Sequence, residues 1–174
     1  FIACGEHLVT AGITTPEMLV AEGGSAGGLL MGAVANLAPE LFAGILAGVP
    51  FVDALTTILD PSLPLTVVEW DEWGDPLHGA DVYEYMKSYS PYENVRDGVE
   101  YPRILAVTSL NDSRVMYVEP AKWVAALRYA GANDVLLKCE MVAGHGGVSG
   151  RYNSWKERAF ELAWLLDTVG LAEN

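Results

Sequence analysis

The sequence predicts an α/β fold, the C-terminal portion of a doubly wound, mostly parallel sheet with helices on both faces. Three observations lead there. Short apolar runs alternate with stretches of helical periodicity along most of the chain. A glycine-flanked serine, Gly23-Gly24-Ser25-Ala26-Gly27, stands where the first apolar run gives way to a helix, and Asp112 and His145 stand just past later runs. Repeated strand-and-helix units of this kind form parallel sheets covered by helices.

In chain order, Ile2, Ala3, Leu8 and Val9 keep helical spacing, and Gly12 with Thr14-Thr15-Pro16 ends that helix in a turn. Met18-Leu19-Val20-Ala21, running out at Gly23-Gly24, has the form of a buried parallel strand. Ala26 to Leu37 reads as a helix closed by Ala38-Pro39. The alternation returns as a strand over Gly44 to Val49, a strand over Ile104 to Ser109 with a helix over Pro120 to Ala130, and a strand over Val135 to Val142 with a helix over Tyr152 to Val169. That makes about four strands, fewer than a doubly wound sheet usually holds, so further strands are expected upstream and a raw sheet edge here.

Val52 to Pro102 breaks the pattern. It contains Pro61, Pro64, Pro76 and Pro91 and the acidic, Trp-bearing segment Glu69-Trp70-Asp71-Glu72-Trp73-Gly74. Excursions of this length in compact domains serve as lids or pocket walls.

Composition narrows the function classes. At 174 residues the chain is long enough for one domain with a real core. Half of it is apolar, yet no stretch approaches the roughly 20 residues that a bilayer crossing needs, so a soluble, globular protein is expected, with no membrane partner. The formal charge of −13 argues against nucleic acid or anionic membranes. Cys4 and Cys139 lack metal-ligand spacing and sit in apolar settings, which predicts buried free thiols and no disulfide. No metal or organic cofactor is expected, because no His, Cys or carboxylate cluster has ligand spacing. Phe1-Ile2-Ala3-Cys4 shows neither an initiator Met nor a signal-peptide pattern and reads as the interior of a longer chain. The cytoplasm is the expected compartment, although no residue here encodes one.

Gly23-Gly24-Ser25-Ala26-Gly27 fits G-x-S-x-G, in which the serine occupies a strained strand-to-helix turn that larger neighbours would obstruct. That turn exposes the hydroxyl and sets the Ala26 N–H at a helix N-terminus, where it can bind an oxyanion. A glycine-rich turn with an incidental serine has the same five letters. A serine nucleophile needs a base, and the base needs a carboxylate to hold its tautomer; on the α/β-hydrolase fold these follow in the order Ser, Asp or Glu, His. Asp112 lies just past the strand ending at Ser109, at the carboxyl edge where ligands of such sheets gather, although Asn-Asp-Ser also makes an ordinary turn. His145, in Ala143-Gly144-His145-Gly146-Gly147, is the histidine in the right place, since His7 precedes the serine and His78 lies in the excursion ahead of any suitable carboxylate. The joint pattern implies acyl-transfer chemistry on Ser25.

The run Glu22-Gly23-Gly24-Ser25-Ala26-Gly27-Gly28-Leu29-Leu30 resembles the nucleophile segment of the prolyl oligopeptidase family of serine peptidases, within it the oligopeptidase B subfamily. Val49 to Asp53, Pro64-Leu65-Thr66, Glu69 to Gly74, Tyr83 to Tyr92, Glu119-Pro120-Ala121-Lys122-Trp123 and Gly144 to Gly147 are similar to that subfamily in the same order. The resemblance implies cleavage of short peptides after Arg or Lys, and an N-terminal β-propeller elsewhere in the full-length chain that screens the site. It also implies that Glu69 and Asp71 are acidic residues of the primary pocket, that Phe51 is its aromatic wall, and that Arg114 binds a substrate carbonyl. A second oxyanion donor, a tyrosine hydroxyl, is implied upstream of Phe1. Where the subfamily has Glu, this chain has Asp71, a methylene shorter. The residues agree in kind: a buried guanidinium needs a carboxylate partner and an apolar wall for its stem, and Glu69, Asp71 and Glu72 beside Trp70 and Trp73 can supply both. A solvated acidic loop with its aromatics turned inward remains the plainer reading of that segment. The alternatives for the whole are a prolyl- or acylaminoacyl-cleaving enzyme or an esterase on the same fold, or an inactive fragment.

Overall fold

The computed structural model describes residues 1–172. After a first helix, α1 (Ile2–Thr10), the chain enters β1 (Val20–Gly24), α2 (Ala26–Leu37) and β2 (Gly44–Gly48). Three helices follow, α3 (Ala54–Ile58), α4 (Thr66–Trp73) and α5 (Ala80–Tyr89). The fold closes with β3 (Arg103–Ser109), α6 (Val118–Tyr129), β4 (Val135–Glu140) and α7 (Arg151–Thr168). The strands form one parallel sheet in the order β1-β2-β3-β4, leaving β1 and β4 as its edges among the described residues. This is the parallel α/β architecture of the α/β-hydrolase fold that the sequence predicts.

Strand periodicity divides the core. Ile45 and Ala47 on β2, with Ile104 and Ala106 on β3, point into one apolar layer with Val34 and Ala35 of α2 and Trp123, Val124 and Leu127 of α6. Leu46 and Leu105, the residues between them, point to the other face and pack on Trp164 of α7. Successive side chains of a strand face opposite ways, so near-continuous apolar runs are what a sheet covered on both sides requires. Trp123, Ile45 and Ile104 are completely buried. α7 is also clamped to the middle of β1, where the Arg158 guanidinium donates to both oxygens of Glu22, at 2.6 and 2.9 Å.

The element boundaries differ from expectation in three places. Pro16–Met18 forms a 3-10 turn, so the first strand begins at Val20 and runs through both glycines, in register with Gly44 to Gly48. Val49 leaves β2 with φ +39°, a strained backbone for a β-branched residue, and turns the chain toward Pro50 and Phe51. β4 stops at Glu140, whose carboxylate accepts the Val142 N–H in a tight turn. The free thiols also differ from expectation: Cys4 is exposed on α1 and Cys139 is only half-buried, because β4 is an edge strand.

The excursion from 52 to 102 is helical and has an apolar cluster of its own. Leu55 and Ile58 of α3 and Met86 of α5 join Phe51, Leu29 and Val115 there, with Trp70 and Trp73 against them. It is braced internally and tied to the domain at its far end. The Thr66 hydroxyl donates to Thr57 O at 2.9 Å and the Trp70 indole to Ile58 O at 3.1 Å, tying α4 to α3. At the far end the buried Asn36 amide of α2 donates to Pro91 O at 2.9 Å. The excursion is therefore a fixed wall, and it stands over the C-terminal edge of the sheet.

Candidate active site

Ser25 joins β1 to α2 with φ +56° and ψ −119°, a backbone conformation that L-residues rarely adopt and that active-site turns retain only when held by their surroundings. The holding groups are visible. Ser25 N–H donates to Gly48 O at 2.9 Å, while Ser25 O accepts from Gly28 N–H at 2.9 Å and from Phe51 N–H at 3.1 Å. A Cβ on Gly23 would come within 2.5 Å of Gly27 O, and one on Gly28 would land on the Cα of Pro50. Gly27, the last letter of the motif, has no neighbour within 4 Å of such a Cβ outside its own helix. Contrary to expectation, the steric demand therefore falls on Gly23 and on Gly28, one residue past the motif, because α2 and the Pro50 loop cross there.

Asp112 follows β3 and is buried, and its two oxygens have separate duties. Oδ1 accepts the backbone N–H groups of Arg114 at 2.8 Å and Val115 at 3.0 Å; Oδ2 lies 2.7 Å from His145 Nδ1. An ionised carboxylate only accepts, so Nδ1 carries the proton and Nε2 is left with its lone pair. Nε2 lies 3.2 Å from Ser25 Oγ. The three residues come from the ends of three strands and meet only because the sheet is parallel, with all its C-terminal ends on one edge.

The loops carrying the acid and the base are joined through a residue that sequence reading passed over. Asn111 N–H donates to Ala143 O at 3.3 Å and its side-chain amide to Val142 O at 3.0 Å. Its signal was present in the Asn-Asp-Ser turn, where asparagine bonds to nearby backbone by preference. Ala26 heads α2, and as the first helical residue its own N–H has no helical partner. This puts the Ala26 N–H at a helix N-terminus directly after Ser25.

Beside Ser25 lies a hollow of about 120 Å³, lined by Phe51, Leu65, Glu69, Glu72, Trp73 and Arg114 along with Ala26 and Val115. Phe51 is buried against Trp73, ring centroids 5.4 Å apart, and forms a solid apolar wall. Glu69 lines it, while Asp71 lines neither this hollow nor the adjoining cavity. On a helix, positions three apart share a face while positions two apart are turned by roughly 200°. Glu72, three residues after Glu69, therefore supplies the second carboxylate. Arg114 lines the hollow with no carboxylate at ion-pair distance among the described residues, which leaves its guanidinium free to donate. Among those residues no three His, Cys, Asp or Glu side chains converge as a metal site.

A serine, a histidine of fixed tautomer and a buried carboxylate at the C-terminal edge of a parallel sheet define a hydrolase of the α/β type. The prolyl oligopeptidase family model matches residues 1–172, and the chain belongs to that family. It is 54% identical to Protease 2 of Moraxella lacunata over 173 residues, covering 98% of this chain and 25% of that protein. It superimposes on oligopeptidase B from Leishmania major with a TM-score of 0.95 at 50% identity, covering 99% of this chain and 24% of that one. With oligopeptidase B from Trypanosoma brucei, solved in a closed form with covalently bound antipain, the TM-score is 0.93, also at 50% identity, over 97% of this chain and 24% of that one. The chain thus spans about a quarter of the length of these relatives.

Proposed function

We propose that this chain carries the catalytic triad of a serine endopeptidase that hydrolyses short peptides after Arg or Lys through an acyl-enzyme on Ser25. The observation that carries the proposal is the relay from Asp112 to His145 to Ser25, at 2.7 and 3.2 Å, opening beside a hollow that holds two carboxylates and an aromatic wall. Ser25 Oγ attacks the scissile carbonyl as His145 Nε2 takes its proton, and Asp112 holds the imidazolium that forms. The carbonyl oxygen, now an anion, turns toward the Ala26 N–H. Collapse expels the amine, which receives the proton from His145, and water repeats the cycle on the ester. Arg114 donates to a substrate carbonyl and holds the peptide in register. An N-terminal β-propeller, carried elsewhere in the full-length chain as in the family's longer members, limits access to short peptides.

Selectivity comes from the hollow. A guanidinium that leaves water needs a charge-assisted, two-pronged partner, and its stem needs apolar cover. Glu69 and Glu72 offer the first, Phe51 and Trp73 the second. Glu69→Gln is therefore expected to raise KM for peptides cleaved after Arg by about 10- to 100-fold, the weight of a charge-assisted hydrogen bond, and to leave cleavage after uncharged residues nearly unchanged. Steady-state kinetics of the full-length protein on matched peptides check this. Equal loss on every substrate would remove Glu69 from the pocket and move the enzyme to another branch of the fold.

A further inference from the structure

Behind the hollow at Ser25 lies a second cavity of about 250 Å³ that shares Phe51, Leu65, Glu69 and Arg114 with it. Its inner wall includes Thr57 of α3 and Glu119 of α6, a glutamate only 1% exposed. A carboxylate this deep is costly unless its oxygens are engaged. Both are: Oε2 accepts the Asp53 N–H at 3.0 Å and Oε1 the Thr57 hydroxyl at 2.6 Å. These donors are the N-cap and the second turn of α3, and α4 hangs from α3 through the Thr66 and Trp70 hydrogen bonds to Thr57 O and Ile58 O.

Resting on the proposal above, we infer that Glu119 is a positioning residue for cation selection: it moors the base of the α3–α4 excursion to the body of the domain and so fixes where Glu69 and Glu72 stand. The Glu119-Pro120-Ala121-Lys122-Trp123 run has no part in the triad, and this mooring gives it one. Its other charge works on the same joint, since Lys122 pairs with the buried carboxylate of Asp53 and lies 4.5 Å from the Tyr92 ring centre.

Ionisation of Glu119 belongs to the device. Burial pushes its carboxyl up to about 7, with Asp53 adding to the rise and the Thr57 and Asp53 hydrogen bonds and Lys122 opposing it. The charged or titratable groups around it are Asp53 ahead of α3, Lys122 on its own helix, Glu93 and Tyr92 beside Lys122, and Glu69, Asp112 and Arg114 around the cavity. Below that value Glu119 is protonated, and one oxygen must donate where the ionised form accepts. Above it both oxygens accept, the mooring is complete, and the cavity carries a further negative charge. Selection of a cation therefore sharpens as pH rises through about 7.

The test compares peptides with arginine or citrulline at the cleaved position, in the full-length protein. The ratio of their KM values cancels whatever acts on both substrates alike. In the wild type, the ratio of KM for arginine to KM for citrulline is expected to fall by about 3- to 10-fold between about pH 6 and about pH 8. Glu119→Gln, which can still accept from Asp53 and donate to Thr57, keeps the fold and abolishes that change. Thr57→Val, which removes one mooring bond, raises KM for arginine alone by about 5-fold. An unchanged pH profile in Glu119→Gln, or equal KM increases for both peptides in Thr57→Val, overturns the inference while the Glu69 result stands. A wild type without preference for arginine over citrulline overturns both this inference and the reading it rests on.

Discussion

Ser25→Ala is expected to lower kcat by about 10⁴- to 10⁶-fold, with KM for an arginine peptide within about 3-fold of wild type. The asymmetry follows from where the hydroxyl stands. Ser25 Oγ meets His145 Nε2 at 3.2 Å, while the strained turn is held by backbone bonds to Gly48, Gly28 and Phe51 that the substitution leaves in place. On the proposed reading, Phe51, Glu69, Glu72 and Arg114 would still bind the peptide, and the Ala26 N–H would still meet the carbonyl oxygen. What disappears is the atom that attacks. A loss smaller than about 100-fold, measured by steady-state kinetics on the full-length protein, would mean that another group is the nucleophile.

Asp112→Asn is expected to lower kcat by about 10⁴-fold, and the hydrogen bonds give the reason. Asp112 Oδ1 accepts two backbone N–H groups, from Arg114 and Val115. An asparagine has one acceptor oxygen, and those two donors claim it. Its NH₂ group must then point at His145 Nδ1, which forces that nitrogen to accept and moves the proton to Nε2. The imidazole then presents an N–H to Ser25 where a lone pair is needed. Little stability should be lost, because both backbone donors keep their acceptor. The same drop in kcat with an unaltered melting temperature separates this tautomer effect from unfolding.

How much of this was legible in the sequence depended on whether the signal was local. Ser25, Asp112 and His145 each stand directly after an apolar strand, in short loops whose glycine, asparagine or serine neighbours mark a turn. A parallel sheet gathers such positions on one edge without further information. Asp71 shows where locality fails. The stretch from Thr66 to Trp73 is a helix of eight residues flanked by Pro64 and Gly74, too short for its periodicity to stand out among acidic and aromatic side chains. Once it is a helix, Glu69 and Glu72 share a face and Asp71 looks away. Val49, Gly28 and Glu119 were hidden for another reason: their roles arise from chain crossings between segments far apart in sequence, the Pro50 loop over α2 and α6 under α3. The thiols were misplaced because apolar neighbours in sequence do not bury a residue on an outer helix or an edge strand.

If Ser25 is the nucleophile, a peptidyl phosphonate with arginine at the reactive position will phosphonylate its hydroxyl. After reaction with the full-length protein, proteolytic digestion and mass spectrometry are expected to place one adduct on the peptide containing Gly24-Ser25-Ala26, with labelling absent in Ser25→Ala. A protein that turns over arginine peptides yet carries the adduct elsewhere, or none, would contradict the assignment of Ser25 as nucleophile.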